Sequence, residues 1–292
     1  MIVSMLRTIP RIALGVVFLV AAFFKGVDPA EFTHQVAGYG IVSGAWAVVL
    51  AYALIPIELV LGLALVVGFR PRSAAAVAVL LLLVFMGATA YAWSQGKTEG
   101  CGCFGSLTSR TPRDVLLEDL GFLVLGILAF VLVRENSTKG RWRIAALACG
   151  LAGGVLLPLS AYALPLDDLV TDLKVGRSVD DLPLRDSPED LAQGDHLVAL
   201  LDLDSDRSAR IVSRLNGYSA KAKAPRVIAF FGGEVDEKAV FCFNYDPNFE
   251  VVAVPRNELK RLYRTLPRFF RIRDGRVVSV WHRDAPDAEE LK

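Results

Sequence analysis

Five apolar stretches, each close to 20 residues long, constrain this chain more than any other feature of its 292 residues. A bilayer's hydrocarbon core is about 30 Å thick, so a helix rising 1.5 Å per residue needs roughly 20 apolar residues to cross it. The stretches run over about 8–26, 46–68, 73–95, 115–133 and 142–164, which meets that length each time. Inside lipid the backbone must satisfy its own hydrogen bonds, which a helix does within one segment. The expected fold is therefore an α-helical transmembrane bundle of about five spans, in contact with membrane lipid. The first stretch does not look like a cleaved leader. Its apolar run is long, and the following "KGVDPAEF" has no small-x-small cleavage pattern.

The charge changes sharply along the chain. Residues 1–165 hold 12 Lys/Arg and 8 Asp/Glu, leaving 20 and 23 for residues 166–292, out of totals of 32 and 31. The first part is too poor in charge for a water-soluble domain, and the second has an ordinary soluble composition. We expect a transmembrane domain over 1–165, a linker over 166–177 and an extramembrane domain over 178–292. A net charge of +1 gives no footprint for nucleic acid.

Lysine and arginine set the orientation. Arg7, Arg11, Arg70, Arg72, Arg134, Lys139, Arg141 and Arg143 fall on one side of the five spans, against Lys97, Arg110 and Arg113, plus Lys25 at a helix end, on the other. The positive-inside rule puts the N-terminus in the cytoplasm. The expectation is a multi-pass protein of the cell inner (plasma) membrane. An odd number of crossings then places its C-terminal domain, and the loop "KTEGCGCFGSLTSRTP", outside the cytoplasm.

Two ionisable residues of the spans, Glu58 and Lys25, stand out. Glu58, in "YALIPIELVLG", stands two residues after Pro56 near the middle of the second stretch. A charge there is costly, so Glu58 should face protein or water. Two readings stand: a proton relay or polar wall for an electron acceptor such as a membrane quinone, and a plain interhelix hydrogen bond beside a proline kink. Lys25 ends the first stretch and reads as an anchor snorkelling to the interface, with a share in an intramembrane proton or acceptor site as the alternative. "CGLAGG" in the fifth stretch suggests close packing through small residues, with Cys149 among them.

Cys101 and Cys103, in "CGCFG", admit three roles: a redox pair, a structural disulfide, and two ligands of a metal. A bridge across one residue closes a tight ring away from relaxed disulfide geometry, which favours reducibility over stapling. Gly102 and Gly105 give the backbone the freedom such a ring needs. A metal would want two further soft ligands, and His34, His196 and His282 are not at ligand spacing, so no metal site is expected.

The segments "RIALGVVFLVAAFFKGVDPAEF", "PIELVLGLALVVGF" and "CGCFG" resemble the membrane domain of MauE-type proteins, within the wider DoxX-like group, over about residues 7–133. That resemblance implies a small helical bundle tied to maturation of methylamine dehydrogenase and to handling of disulfides in the periplasm. Carried over by motif, Cys101 and Cys103 would be the redox pair.

In the C-terminal part, strands are expected at "HLVALL", "PRVIAFF", "AVFCFN" and "FEVVAV", then a helix at "RNELKRLYRT". A hairpin about Asp274-Gly275 should follow. This layout resembles an α/β thioredoxin-like domain, with Pro267 at the position that is usually cis. Such domains carry C-x-x-C at the start of the first helix, where the dipole activates a thiol. Here the equivalent residues are Ser205-Asp206-Arg207-Ser208, so the redox centre is degenerate, and Cys242 reads as a buried packing residue of a strand.

The expected function is thiol–disulfide handling in the maturation of periplasmic or secreted proteins, with a client or redox partner protein. If it is an enzyme, it is a thiol–disulfide oxidoreductase. The rival is a non-enzymatic membrane assembly factor, in which the two cysteines form a structural loop and the outer domain binds a partner. A transporter is disfavoured by the single mid-membrane acid, Glu58, and by the lack of a visible internal repeat.

Overall fold

A computed structural model describes residues 2–96, 111–133, 140–184, 187, 189–203, 208–219, 224–233, 235–287 and 290. The chain divides into two compact units, Met1–Leu166 and Asp167–Lys292.

The first unit is helical: α1 (Ile2–Val27), α2 (Pro29–Gly38), α3 (Ala45–Val67), α4 (Pro71–Ser94), α5 (Pro112–Leu132) and α6 (Arg141–Ser160). Five segments are long and apolar enough to cross a membrane: Thr8–Val27, Ala45–Val67, Pro71–Ser94, Pro112–Leu132 and Arg141–Ala163. They make this a multi-pass membrane protein whose outward apolar side chains, such as Leu80, Val124, Val131 and Leu156, face lipid. The sequence did not lead us to expect α2. Asp28 caps it by accepting from the Glu31 N–H at 3.2 Å, and Pro29 supplies its first turn. The helix lays Phe32 and Val36 against Ala47, Ala51 and Ile55 of α3.

Lipid is as apolar as leucine, so helices gain by approaching closely rather than by leaving water. Helix α3 is the hub, packing against α1, α2 and α6. Where α1 crosses it, a Cβ on Gly62 would lie 2.8 Å from the Gly15 carbonyl oxygen. Where α6 crosses it, a Cβ on Gly154 would lie 2.5 Å from the Pro56 Cα. Both crossings therefore require glycine. The C-terminal carbonyls of α3 are met by arginines: Arg11 donates to Leu65, and Arg143 donates to Gly68 at 3.1 Å.

The second unit is built on a mixed five-stranded sheet in the order β3-β2-β1-β4-β5. Its strands are β1 (Asp195–Leu201), β2 (Arg226–Gly232), β3 (Glu250–Val254), β4 (Arg268–Arg273) and β5 (Arg276–His282). β1, β2 and β3 run parallel, and β4 and β5 join antiparallel. Side chains alternate, so Leu197, Ala199 and Leu201 line one face while Val198 and Leu200 line the other.

Helices α8 (Ser208–Ser219) and α9 (Val235–Tyr245) are the two crossovers, with α7 (Asp167–Val170) before the sheet and α10 (Arg256–Leu259) after β3. Both crossovers step the same way across the sheet, and a common hand puts both on one face, with Val212, Leu215 and Phe241 packed there. The opposite face is covered by Leu173, Val179, Leu182, Leu184 and Leu191, joined by Leu259 and Leu262.

Three expectations are corrected. "AVFCFN" is helical, part of α9, because parallel β2 and β3 cannot be joined without a crossover. Cys242 is accordingly a half-buried helix residue, not a strand residue. "RNELKRLYRT" forms only the four-residue α10 and a 3-10 turn at Lys260–Leu262. Within the segment expected as a linker, Leu173 joins the sheet's core, and Asp172 accepts from Arg261 at 2.9 and 2.6 Å.

Candidate intramembrane ion-pair site

Helix α1 brings Lys25 into its last turn, and α3 brings Glu58 to mid-helix just past Pro56. Lys25 Nζ donates to Glu58 Oε1, and the two residues are 3% and 0% exposed. The ammonium also sits 5.0 Å from the Phe32 ring centroid and 4.9 Å from that of Phe85, so aromatic faces close the site from α2 and α4. The interfacial anchor expected at Lys25 is thus corrected: the side chain is buried and paired instead of snorkelling. The second carboxylate oxygen, Glu58 Oε2, is buried with no hydrogen-bond partner among the described residues. An ion pair taken out of water persists only with close compensation, and a half-satisfied carboxylate can accept a proton.

The neighbouring Asp28 does double duty. Besides capping α2 it accepts from the Tyr162 hydroxyl at 3.0 Å, and that hydroxyl in turn accepts from the Ala30 N–H at 3.2 Å. Cys149 is exposed on α6, contrary to its expected packing role. Gly150 and Gly154, four residues apart on one helix face, carry the contact with α3, and Cys149 is turned about 100° from Gly150.

Cys101 and Cys103 lie outside the described residues, as does Ser205. Ser208 opens α8. The Leu266–Pro267 peptide is cis and leads into β4. Beside it is a cluster that sequence reasoning missed. Arg268 is fully buried, donating to Thr171 Oγ1 at 3.2 Å with Asp167 Oδ1 at 3.6 Å, and Arg264 donates to Asp167 at 3.2 Å. Burial lowers the Arg268 pKa against the pull of Asp167 and Asp168. Its register partner His282 is also lowered, chiefly by burial and then by Arg268.

Sequence reasoning also treated Glu58 as the one acid within the spans. Asp119 of α5 is 5% exposed and Thr89 of α4 is 3% exposed. The signal was present in "VLLEDLGF", a carboxylate pair interrupting an apolar run.

The bundle and its buried ion pair define a multi-pass membrane protein with a polar site inside the membrane. Residues 3–132 match the family model described as "Methylamine utilisation protein MauE". No curated protein and no solved structure matches the chain.

Proposed function

We propose that this chain handles thiols and disulfides at the cell inner membrane, acting on periplasmic or secreted proteins through Cys101 and Cys103. The observation that carries the reading is the buried Lys25–Glu58 pair, which lies in the same 3–132 segment that matches the MauE family. Oxidising the two thiols to a Cys101–Cys103 disulfide releases two electrons and two protons. A membrane quinone takes up both and leaves as the quinol. The disulfide then exchanges with two thiols of a client, which becomes the oxidised partner, and the Cys101 and Cys103 thiols are regenerated. A proton-accepting group inside the bundle serves the first half of that cycle.

The orientation we favour has the N-terminus in the cytoplasm, with the 97–110 loop and the C-terminal unit outside. Arg11 and Arg143 at one end of α3, close in sequence to Arg70 and Arg72, support it. The sheet order, with antiparallel β4 and β5 joined to parallel β1–β3, supports a thioredoxin-like reading of the second unit, with Ser205 and Ser208 at a degenerate redox site. That unit would bind the client, and the family's description makes methylamine utilisation the natural setting. The degenerate site also favours the second reading, a non-enzymatic assembly factor.

The test removes Cys149 and Cys242 by serine substitution, then changes Cys101 or Cys103 singly to Ser. One cysteine left without its resolving partner should accumulate a client adduct that reductant dissolves. An adduct that persists in the Cys101→Ser/Cys103→Ser protein, or none in either single variant, rejects the redox reading and leaves the assembly factor. A membrane-impermeant maleimide should label Cys101 or Cys103 in intact cells after mild reduction. Labelling only after permeabilisation would reverse the orientation.

A further inference from the structure

The arginines at one end of the bundle carry more charge than the protein there can offset. Arg11 reaches from α1 to the Leu65 carbonyl and, at 3.4 Å, to that of Val66, while Arg143 reaches from α6 to the Gly68 carbonyl at 3.1 Å. These carbonyls belong to the last turn and cap of α3, so two guanidiniums share one helix end and stand within each other's field. Gly68 makes room for them, since a Cβ there would lie 2.6 Å from Arg11 Nη1. A helix C-terminus offers about half a negative charge, against two full positive ones. Helices α4 and α6 begin at this same end, neither Arg70 nor Gly140 capping them with a side chain, and their dipoles add positive potential. Carboxylates do not restore the balance. Segments 1–12, 68–76 and 133–144 hold eight Lys/Arg and one acid, Glu135, so a surplus persists even with Glu135 fully engaged.

Exposed tryptophans set the depth of this cluster. Trp142, in the first turn of α6, is 58% exposed, and the Arg143 guanidinium lies 5.3 Å from its ring. Trp46 at the start of α3 and Trp93 at the end of α4 are exposed at the other end of the bundle. Indoles on a membrane protein gather at the two headgroup levels. From Trp46 to Gly68 the chain of α3 rises about 33 Å, close to the roughly 30 Å of a bilayer's hydrocarbon core. Arg11 and Arg143 therefore stand at the level of the lipid phosphates. Beside Arg11, an apolar groove of about 380 Å³ runs over Thr8, Ile9, Ile12 and Ala13. Cations at phosphate level next to a lipid-facing apolar groove match the two halves of a phospholipid.

We propose that Arg11 and Arg143 form a binding site for one anionic phospholipid, clasping its phosphodiester while an acyl chain lies along the groove beside Arg11. A guanidinium has five N–H donors in a planar fork, more than these carbonyls take, and the fork suits a phosphodiester's two free oxygens. Arg70 and Arg72, both exposed at this end, draw anionic headgroups toward it. A zwitterionic lipid brings the same phosphate with a cation attached, so the surplus charge selects a headgroup of net negative charge. The groove selects a lipid over free phosphate. The site holds for whichever leaflet this end faces, and it does not depend on the thiol chemistry.

Native mass spectrometry of the full-length protein in neutral detergent tests it. The wild type should retain one phosphatidylglycerol about tenfold or more tightly than phosphatidylcholine, and excess inorganic phosphate should not displace it. Arg11→Gln and Arg143→Gln should each weaken retention about fivefold, and together about thirtyfold, the worth of one and two charges at a membrane surface. Arg113→Gln, at the start of α5 and the opposite end of the bundle, should leave retention unchanged. Equal retention of the two lipids by the wild type overturns the proposal with no variant at all, so an arginine variant that fails to fold does not shield it. Displacement by inorganic phosphate would make this a site for a free anion, and undiminished retention in the double variant would place the lipid elsewhere. Either result overturns it.

Discussion

Lys25→Met leaves a carboxylate at a position with no exposure and removes its ion-pair partner. Removing one member of a buried pair strands the other charge, at a cost of about 3–5 kcal/mol, whereas replacing both members by apolar or neutral groups is often close to neutral. The informative quantity is therefore a coupling. We expect Lys25→Met to destabilise the full-length protein by about 3–5 kcal/mol when Glu58 is present, and by much less in a Glu58→Gln background. At about 1.4 kcal/mol per factor of ten, that coupling is about two to three and a half decades in the unfolding equilibrium. Reversible unfolding in mixed lipid–detergent micelles, followed by circular dichroism across the four proteins of the cycle, measures it. If Lys25→Met costs the same with and without the Glu58 carboxylate, the two side chains are not coupled. The buried pair would then be irrelevant to both stability and proton handling.

Two further outcomes follow from the packing and the charges. Gly154→Val should destabilise the bundle by about 1–3 kcal/mol in the same assay, since its Cβ would meet the Pro56 Cα and backbone cannot swing aside; Gly153→Ala, whose Cβ would only touch Leu59 Cδ2 at 3.7 Å, should be close to neutral, and equal effects would contradict the crossing. In the second unit, Arg271 donates to Asp195 at 2.7 and 2.5 Å and holds its carboxyl below the usual carboxylate range. A lowered folded pKa stabilises above the unfolded value of about 3.9 and stops doing so as pH falls through the folded value. Asp195→Asn should flatten the acid limb of stability below about pH 4, read from the fluorescence of Trp281 during denaturant unfolding. Superimposable acid limbs would show that the Arg271 contact does not persist in solution.

The spans were legible because length and hydropathy alone decide them. The hairpin at Asp274-Gly275 was legible because its residues carry the positive φ values, 47° and 75°, that a tight primed turn demands. α9 was not. Its Ala239-Val240-Phe241-Cys242-Phe243 run is rich in β-branched and aromatic side chains, and Phe243 is 90% exposed, so no amphipathic period announces a helix. What makes it helical is non-local: β2 and β3 lie parallel, and the chain must cross over between them. The arginine cluster about Arg268 was hidden for a similar reason. Asp167 and Thr171 meet it from about a hundred residues away, and a pattern of alternating residues in β4 says nothing of who arrives on its face.

Lys25 is the sharper case. A lysine two residues from a helix end has two ways to lower its free energy: reach the interface, or find a carboxylate. Sequence position measures only the distance to the interface, and by that measure snorkelling wins. The alternative depends on where α3 stands against α1, which Gly15 and Gly62 decide by letting the two backbones touch. From that contact, Lys25 lies ten residues outward on α1 and Glu58 four residues outward on α3. The axial offset of six residues is about 9 Å. A lysine leaning back along its helix and a glutamate leaning outward along its own close that offset between them. The small residues thus do more than tighten a helix pair. They fix the register in which a charge that could have reached water is turned inward, and any substitution that lifts α1 off α3 by a side chain's width should unmake the ion pair before it unfolds the bundle.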